Sequence, residues 1–236
     1  MGKNTEERQA EVKTRSQSQK MNAQNKQRVA VLCDFDGTIT PLDVLEVLYR
    51  RFAGPGCSDF MQKWLEGEIS TPQEIQGCFA TINATQAEME AVLDSVYLDP
   101  AFPDLYGYCA QQGYPFVVLS DGLSWYINYV LTCNGFSGLT IYANEIHFTS
   151  GGIRISSPWY QPDTPRRGTS KPAIIRKYQE DGYRVVFIGD GLTDVEAVEA
   201  ADVVYARARL LEYCRKLEIP AIGFSNMQDL LANWKP

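Results

Sequence analysis

Residues Val29 to Cys33 form an unbroken apolar run that stops abruptly at Asp34-Phe35-Asp36-Gly37-Thr38-Ile39-Thr40. A run with no polar alternation marks a strand covered on both faces, as in a parallel sheet flanked by helices. In such sheets ligands bind beyond the carboxyl ends of the strands, and there this chain places two carboxylates, Asp34 and Asp36. Gly37 allows a turn at that point and lets backbone amides approach an anion. Paired carboxylates at a buried strand end are costly unless a positive group sits between them. Mg²⁺ suits the position, because it is a hard cation that takes oxygen ligands and retains waters.

Three further segments supply partners. Val185 to Ile188 is a second apolar run, ending in Gly189-Asp190-Gly191-Leu192-Thr193-Asp194, with a second carboxylate four residues past the first. Phe116 to Leu119 is a third, ending in Ser120-Asp121-Gly122. Strand ends of one parallel sheet can converge on one point. Between these two segments lies Thr169-Ser170-Lys171-Pro172, where Ser170 or Lys171 caps a helix that opens at Pro172. A lysine at that helix start strengthens a site already suited to phosphate.

The four segments resemble, in order and spacing, the four motifs of the haloacid dehalogenase superfamily in its aspartate-nucleophile phosphatase branch. The resemblance runs from about Val29 to the carboxyl end. Asp34 to Thr40 and Gly189 to Ala197 are similar to the phosphoserine phosphatase-like group, and within it to the phosphatases of methionine salvage. It implies an aspartyl-phosphate mechanism. Asp34 is then the nucleophile, and Asp36 the acid for the leaving oxygen and later the base for water. It further implies Mg²⁺ held by the Asp34 carboxylate, the Asp36 backbone carbonyl and Asp190, with Asp194 reaching it through water or orienting its ligands. Ser120 and Lys171 bind the phosphoryl oxygens, together with Gly37, Thr38 and the Asp121 position.

Asp43 lies nine residues beyond Asp34. Phosphoserine phosphatases carry a glutamate there that meets the substrate ammonium, so Asp43 is either a leaving-group contact or a first-turn helix acid. Trp125, Tyr126, Trp159 and Tyr160 line the substrate opening or simply pack. Two departures bear on substrate choice. The relatives show Ser-Gly-Gly where this chain has Ser120-Asp121-Gly122, and the loop before Lys171 lacks a cysteine-rich stretch.

The net charge of -7, with no basic stripe, argues against a nucleic-acid partner. The six cysteines at 33, 57, 78, 109, 133 and 214 show no Cys-x-x-Cys spacing, so zinc and redox motifs are not expected; most read as small core residues in a reducing compartment. His147 is the single histidine, which argues against triad or histidine-metal chemistry, and it reads as an exposed hairpin residue. Residues 1–27 are polar and read as a disordered tail or a frayed helix. They contain no apolar stretch of the kind a secretory signal needs, and no run reaches membrane-spanning length. A cytoplasmic enzyme acting on a small phosphorylated metabolite, with no membrane partner, is the expectation.

From Leu42 to Tyr97 helix signals replace strand signals. Leu42, Leu45, Leu48 and Phe52 share a face, and two capping boxes, Thr71-Pro72-Gln73-Glu74 and Thr85-Gln86-Ala87-Glu88, open two further helices. These segments read as a helical cap at 42–97 over a catalytic core at 28–41 and 98–236; the alternative is that the helices only pack on the sheet. Further on, helices are expected at 103–112, 124–134, 172–180, 193–200, 208–217 and 227–232, a hairpin over 140–155, and short strands at 203–204 and 221–222. The fold class is α/β, a doubly wound, Rossmann-like parallel sheet with a helical cap after the first strand and a small β-hairpin. The expected activity is Mg²⁺-dependent phosphomonoester hydrolysis through an aspartyl-phosphate, with 2-hydroxy-3-keto-5-methylthiopentenyl-1-phosphate one candidate substrate. The rivals are a phosphoserine phosphatase, a phosphotransferase, and a non-catalytic phosphate- or metal-binding module.

Overall fold

The computed structural model describes residues 27–150 and 152–236. The expected polar tail thus lies, apart from Gln27, outside the described residues.

Strand β1 (Val29–Cys33) is buried along its whole length. Its side chains divide by parity, as a pleated strand requires. Val29, Val31 and Cys33 enter one apolar cluster, and Ala30 and Leu32 enter another on the opposite face. The same division runs through β2 (Phe116–Leu123), with Val118 on the first side and Val117 and Leu119 on the second. In β5 (Arg184–Gly189), Val186 and Ile188 oppose Val185 and Phe187. Both faces of the sheet are therefore dry, and the absence of alternation in the sequence follows from it.

Seven strands make one sheet in the order β4-β3-β2-β1-β5-β6-β7, with β3 (Thr140–Thr149), β4 (Gly152–Ser156), β6 (Val203–Ala206) and β7 (Ile222–Gly223) completing it. All neighbours are parallel except β3 and β4, which form the expected antiparallel hairpin. The order reverses at β1, with β2 on one side and β5 on the other. Chain crossovers leave in opposite directions from that point and open a crevice at the strand ends.

Helices α1 (Val44–Phe52), α2 (Cys57–Glu66), α3 (Thr71–Ala80) and α4 (Gln86–Leu93) lie between β1 and β2 in sequence. They are followed by α5 (Phe102–Gln112), α6 (Ser124–Cys133), α7 (Lys171–Glu180), α8 (Ala208–Lys216) and α9 (Met227–Ala232). Helix α3 covers the outer hairpin strand. Gln76 donates to the Ile153 carbonyl and accepts from the Ile155 amide, both at 2.9 Å, and so satisfies backbone groups of β4.

Several expectations are corrected. Ser70, not Thr71, caps α3, and Gln73 Oε1 reaches back to the Ser70 amide at 2.9 Å; Pro72 falls in the first turn either way. Helix α2 has no counterpart in the sequence reading, because it starts and ends on glycines in left-handed conformation, Gly56 and Gly67, and not on a polar cap. The helix expected at 193–200 is a 3₁₀ turn over Leu192–Asp194 followed by further turns, since the Asp194 side chain bends back to its own loop. Leu42 precedes α1 and is exposed, leaving Val44, Leu48 and Tyr49 as the buried face. His147 is half-buried, with Nε2 2.8 Å from Ser156 Oγ.

Cys57 and Cys78, expected as separate core thiols, are joined by a disulfide. The contact arises because α2 and α3 pack closely: a Cβ at Gly77 would overlap the Phe60 ring, and the two cysteine Cα atoms lie 4.4 Å apart. Nothing in a 21-residue separation announces such a pairing.

Candidate active site

At the end of β1 the chain makes a tight π-helical turn over Phe35–Ile39, with Gly37 at φ 72°. A side chain at Gly37 would be strained by that φ and would overlap the Asp190 carboxylate. The turn therefore brings the Asp34 and Asp190 loops together. Thr38 Oγ1 donates to Asp190 Oδ1 at 2.9 Å, and Arg207 donates to the Gly37 carbonyl.

Lys171, at the first position of α7, is fully buried at the centre of this arrangement. Its Nζ lies 2.9 Å from Asp34 Oδ1 and 2.5 Å from Asp194 Oδ1. Burial alone would lower the lysine, but Asp194 and Asp34 outweigh it and hold the ammonium above its ordinary value. The other Asp194 oxygen accepts from the Asp190 and Gly191 amides at 2.9 and 3.0 Å. Asp194 is thus saturated by its neighbours, while Asp34 keeps one oxygen uncommitted by the lysine.

Asp34, Asp190 and Asp194 each bring one carboxylate oxygen within 4.8 Å of the others. Three carboxylates meet a single ammonium there. Burial, then Asp194, raises Asp34 well above the carboxylate range, and the same two causes push Asp190 up to about 6. All-oxygen donors with excess negative charge fit a hard divalent cation such as Mg²⁺. Asp34 and Asp190 carry the carboxylates placed to ligate it, Asp194 being taken up by Lys171 and the Asp190 and Gly191 amides.

The Asp36 carboxyl points away from this cluster. Tyr126 donates to Asp36 Oδ2 at 2.5 Å, and the Val44 amide donates to Oδ1 at 2.9 Å. Burial, then the Asp43 charge, pushes Asp36 up to about 8 against those two donors. That upward push favours the protonated carboxyl, the form that can give a proton to a leaving oxygen. Gly122 makes room for the contact, because a Cβ there would overlap the Tyr126 hydroxyl and come within 2.8 Å of Asp36 Oδ2.

Ser120 is buried within β2, which runs on to Leu123 rather than stopping at Leu119 and shifts register against β3 after Leu119; its Oγ accepts from the Gly122 amide at 3.0 Å. The Asp121 carboxylate turns to the loop before α7, and its Oδ1 accepts from the Gly168 and Thr169 amides at 2.9 and 3.0 Å. Asp43 caps α1 through the Glu46 amide at 2.9 Å, as its first-turn reading expects, and its side chain also lines the cavity.

A cavity of about 500 Å³ opens from the strand ends to α1, α2 and α3. Its inner end holds Asp34, Asp36, Gly37, Ser120, Asp121 and Asp190; Thr38 and Lys171 stand behind that wall. Its outer end is lined by the polar Asp43, Tyr49 and Glu74 and by the apolar Met61, Trp64 and Leu65. Burial, then Asp43, pushes Glu74 up to about 7. Tyr49 and Trp64 carry no motif in sequence, and Glu74 reads there only as a helix-capping acid; their signal toward the site is membership of an insert after β1. Of the four aromatics singled out, Tyr126 holds Asp36. Trp125 donates to Glu90 and packs on Phe148, and Trp159 packs on Tyr142 with ring centroids 4.7 Å apart.

The sequence profile of haloacid dehalogenase-like hydrolases matches residues 31–199. The chain belongs to that family. It is 26% identical over 208 residues to a 2-hydroxy-3-keto-5-methylthiopentenyl-1-phosphate phosphatase of Brevibacillus brevis, covering 86% of this chain and 94% of that protein. It is 32% identical over 205 residues to the bifunctional enzyme MtnB/MtnX of Bacillus licheniformis, covering 85% of this chain and 48% of that protein. A substrate-bound phosphoserine phosphatase superposes with a TM-score of 0.68 at 18% identity, over 89% of this chain and all of that one, which establishes a shared fold. As a family member the protein is an enzyme, and the Brevibacillus brevis relative and the superposed structure are named as phosphatases. Among the described residues, no helix is long and apolar enough to cross a membrane.

Proposed function

We propose that the protein is a Mg²⁺-dependent phosphomonoester phosphatase that works through an aspartyl-phosphate on Asp34. The observation that carries this reading is the Lys171 ammonium between Asp34 and Asp194 at the end of β1, with the Asp36 carboxyl two residues on, held by Tyr126 and the Val44 amide. The free Asp34 oxygen attacks phosphorus, the bond to the leaving oxygen breaks, and Asp36 supplies that oxygen with its proton. Asp36 then takes a proton from water as the water oxygen attacks phosphorus and the bond to Asp34 breaks. Lys171 and Ser120 hold the non-bridging oxygens through both steps, while Asp194 orients Lys171 and the Asp190 loop. Bound between Asp34, Asp190 and the Asp36 carbonyl, Mg²⁺ would neutralise the charge of the phosphoryl dianion. In this reading 28–41 and 98–236 form the catalytic core and 42–97 the cap.

The outer end of the cavity bears on the substrate. Among its described lining residues Arg209 is the one base, set against Asp43, Glu46 and Glu74. The ammonium of a serine leaving group would be matched by these acids, but its carboxylate has Arg209 alone as a cationic partner among them. One with hydroxyls to donate to Asp43 and Glu74 and a thioether tail to lie against Met61, Trp64 and Leu65 suits this lining. This favours 2-hydroxy-3-keto-5-methylthiopentenyl-1-phosphate over phosphoserine, in line with the sequence relatives. The test is kcat/KM for both esters and an aryl phosphate with Mg²⁺. The expected order places the hydroxyketone ester first, and phosphoserine as the best substrate would reverse the assignment.

A further inference from the structure

The chain between β4 and α7, residues 157–170, has no regular structure, yet Thr164, Arg167, Thr169 and Ser170 are buried within it. Both of its ends are held by one buried pair. Ser157 Oγ donates to Asn144 Oδ1 at 2.8 Å, and the Gly168 and Thr169 amides donate to Asp121 Oδ1. Asn144 Nδ2 ties the pair together, donating to the Asp121 carbonyl at 2.7 Å and to Oδ1 at 3.2 Å. In between, the loop reaches the helices that line the outer cavity. The Arg166 carbonyl accepts from the Thr71 amide at 2.9 Å, and the Arg166 guanidinium donates to the Trp64 carbonyl at 2.5 Å. Arg167 pairs with Glu196 at 3.1 Å and donates to the Leu192 carbonyl at 2.7 Å. The next buried side chain with chemistry is Lys171.

One strap thus touches α2, α3, the loop after β5 and the tip of β2, and it ends at the active-site ammonium. We propose that Asp121 is a positioning residue that acts through Lys171: its carboxylate anchors the strap and so couples the seating of α2 and α3 to the placement of the Lys171 ammonium. The proposal rests on the reading of Lys171 as the cation that binds the phosphoryl group. It also explains how a carboxylate can follow Ser120 without repelling a phosphate. Oδ1 is used up by three N–H donors, and Oδ2 is buried with no hydrogen bond of normal geometry. What the site needs at 121 is an acceptor, not a charge.

The test uses the full chain with Mg²⁺ and an aryl phosphate. Asp121→Ala frees the strap and should lower kcat/KM on the order of 10²-fold, the scale of a roughly 1 Å misplacement of a catalytic cation. It should also weaken inhibition by inorganic phosphate. Asp121→Asn keeps the accepting oxygen and should recover most of that loss. If Asp121 acts through Lys171, Asp121→Ala/Lys171→Ala should be no slower than Lys171→Ala alone. Gly168→Ala displaces the strap with Asp121 intact, since its Cβ would overlap Asn144 Oδ1 and lie 2.7 Å from Pro72. It should show the same loss and the same non-additivity, and it serves if Asp121→Ala does not fold. Equal losses in Asp121→Asn and Asp121→Ala, multiplicative losses in the double variant, or an unaffected Gly168→Ala would overturn the proposal. Wild-type turnover by Lys171→Ala would instead overturn the reading of Lys171 on which it rests.

Discussion

Tyr126→Phe removes one oxygen from a fully buried ring and one hydrogen bond, the 2.5 Å donation to Asp36 Oδ2. The ring itself stays packed against Phe35, at a centroid distance of 6.1 Å. That hydrogen bond favours the charged form of Asp36 and so lowers its pKa, working against burial and Asp43, which together push it up to about 8. Without it Asp36 must titrate higher still. A hydrogen bond to a charged group contributes about 1.5–3 kcal/mol. At 1.36 kcal/mol per unit, the shift is about one to two pKa units upward. With Asp36 as the proposed acid, the alkaline limb of kcat/KM against pH should report its loss of a proton in the free enzyme. The assay is kcat/KM for an aryl phosphate from neutral to alkaline pH, with Mg²⁺ saturating at each point. The alkaline limb of Tyr126→Phe should lie above that of the wild type. A limb that stays in place, or moves down, would refute the assignment of Asp36 as the proton donor.

Other outcomes follow from the same geometry. Asp43→Ala should lower kcat/KM for the natural ester by roughly tenfold to a hundredfold, the value of a charge-assisted hydrogen bond, while an aryl phosphate changes little; equal losses would make Asp43 only the cap of α1. A chelator should abolish turnover and Mg²⁺ restore it, with Ca²⁺ a poor substitute because its larger, looser shell misplaces Asp34; full activity in excess chelator would remove the metal from the account. Reducing the Cys57–Cys78 bridge reopens a loop of 21 residues and should cost about 3 kcal/mol of stability, seen as a lower Tm in reductant; an unchanged Tm would mean that the bridge does not constrain the unfolded chain.

The sheet and the inner half of the site were legible because both are written locally. The run Val29 to Cys33 declares a strand buried on both faces, and Asp34, Asp36, Asp190 and Lys171 each sit at an element end that their own neighbours mark. Alignment by three parallel strands then does the rest. What sequence could not give depends on contacts between distant segments. Tyr126 meets Asp36 across 90 residues, and Asp121 meets Gly168 across 47. The Cys57–Cys78 bridge needs the α2–α3 packing that Gly77 permits. Helix α2 escaped because glycines bound it, and the 193–200 segment misled because an apolar, alanine-rich pattern counts for less there than the backbone bonds claimed by Asp194. The acceptors of the outer cavity, Glu74 and Tyr49, come from two helices of the insert, and no local pattern marks either as part of the site.

The central claim is that phosphate passes through a covalent bond to Asp34. Rapid acid quench during turnover, followed by peptide mass analysis, tests it directly. The account predicts an acid-stable, hydroxylamine-labile phosphate on the peptide carrying Asp34, absent in Asp34→Asn, which should retain its fold and lose turnover. Phosphate on another residue, or substantial turnover by Asp34→Asn, would contradict it.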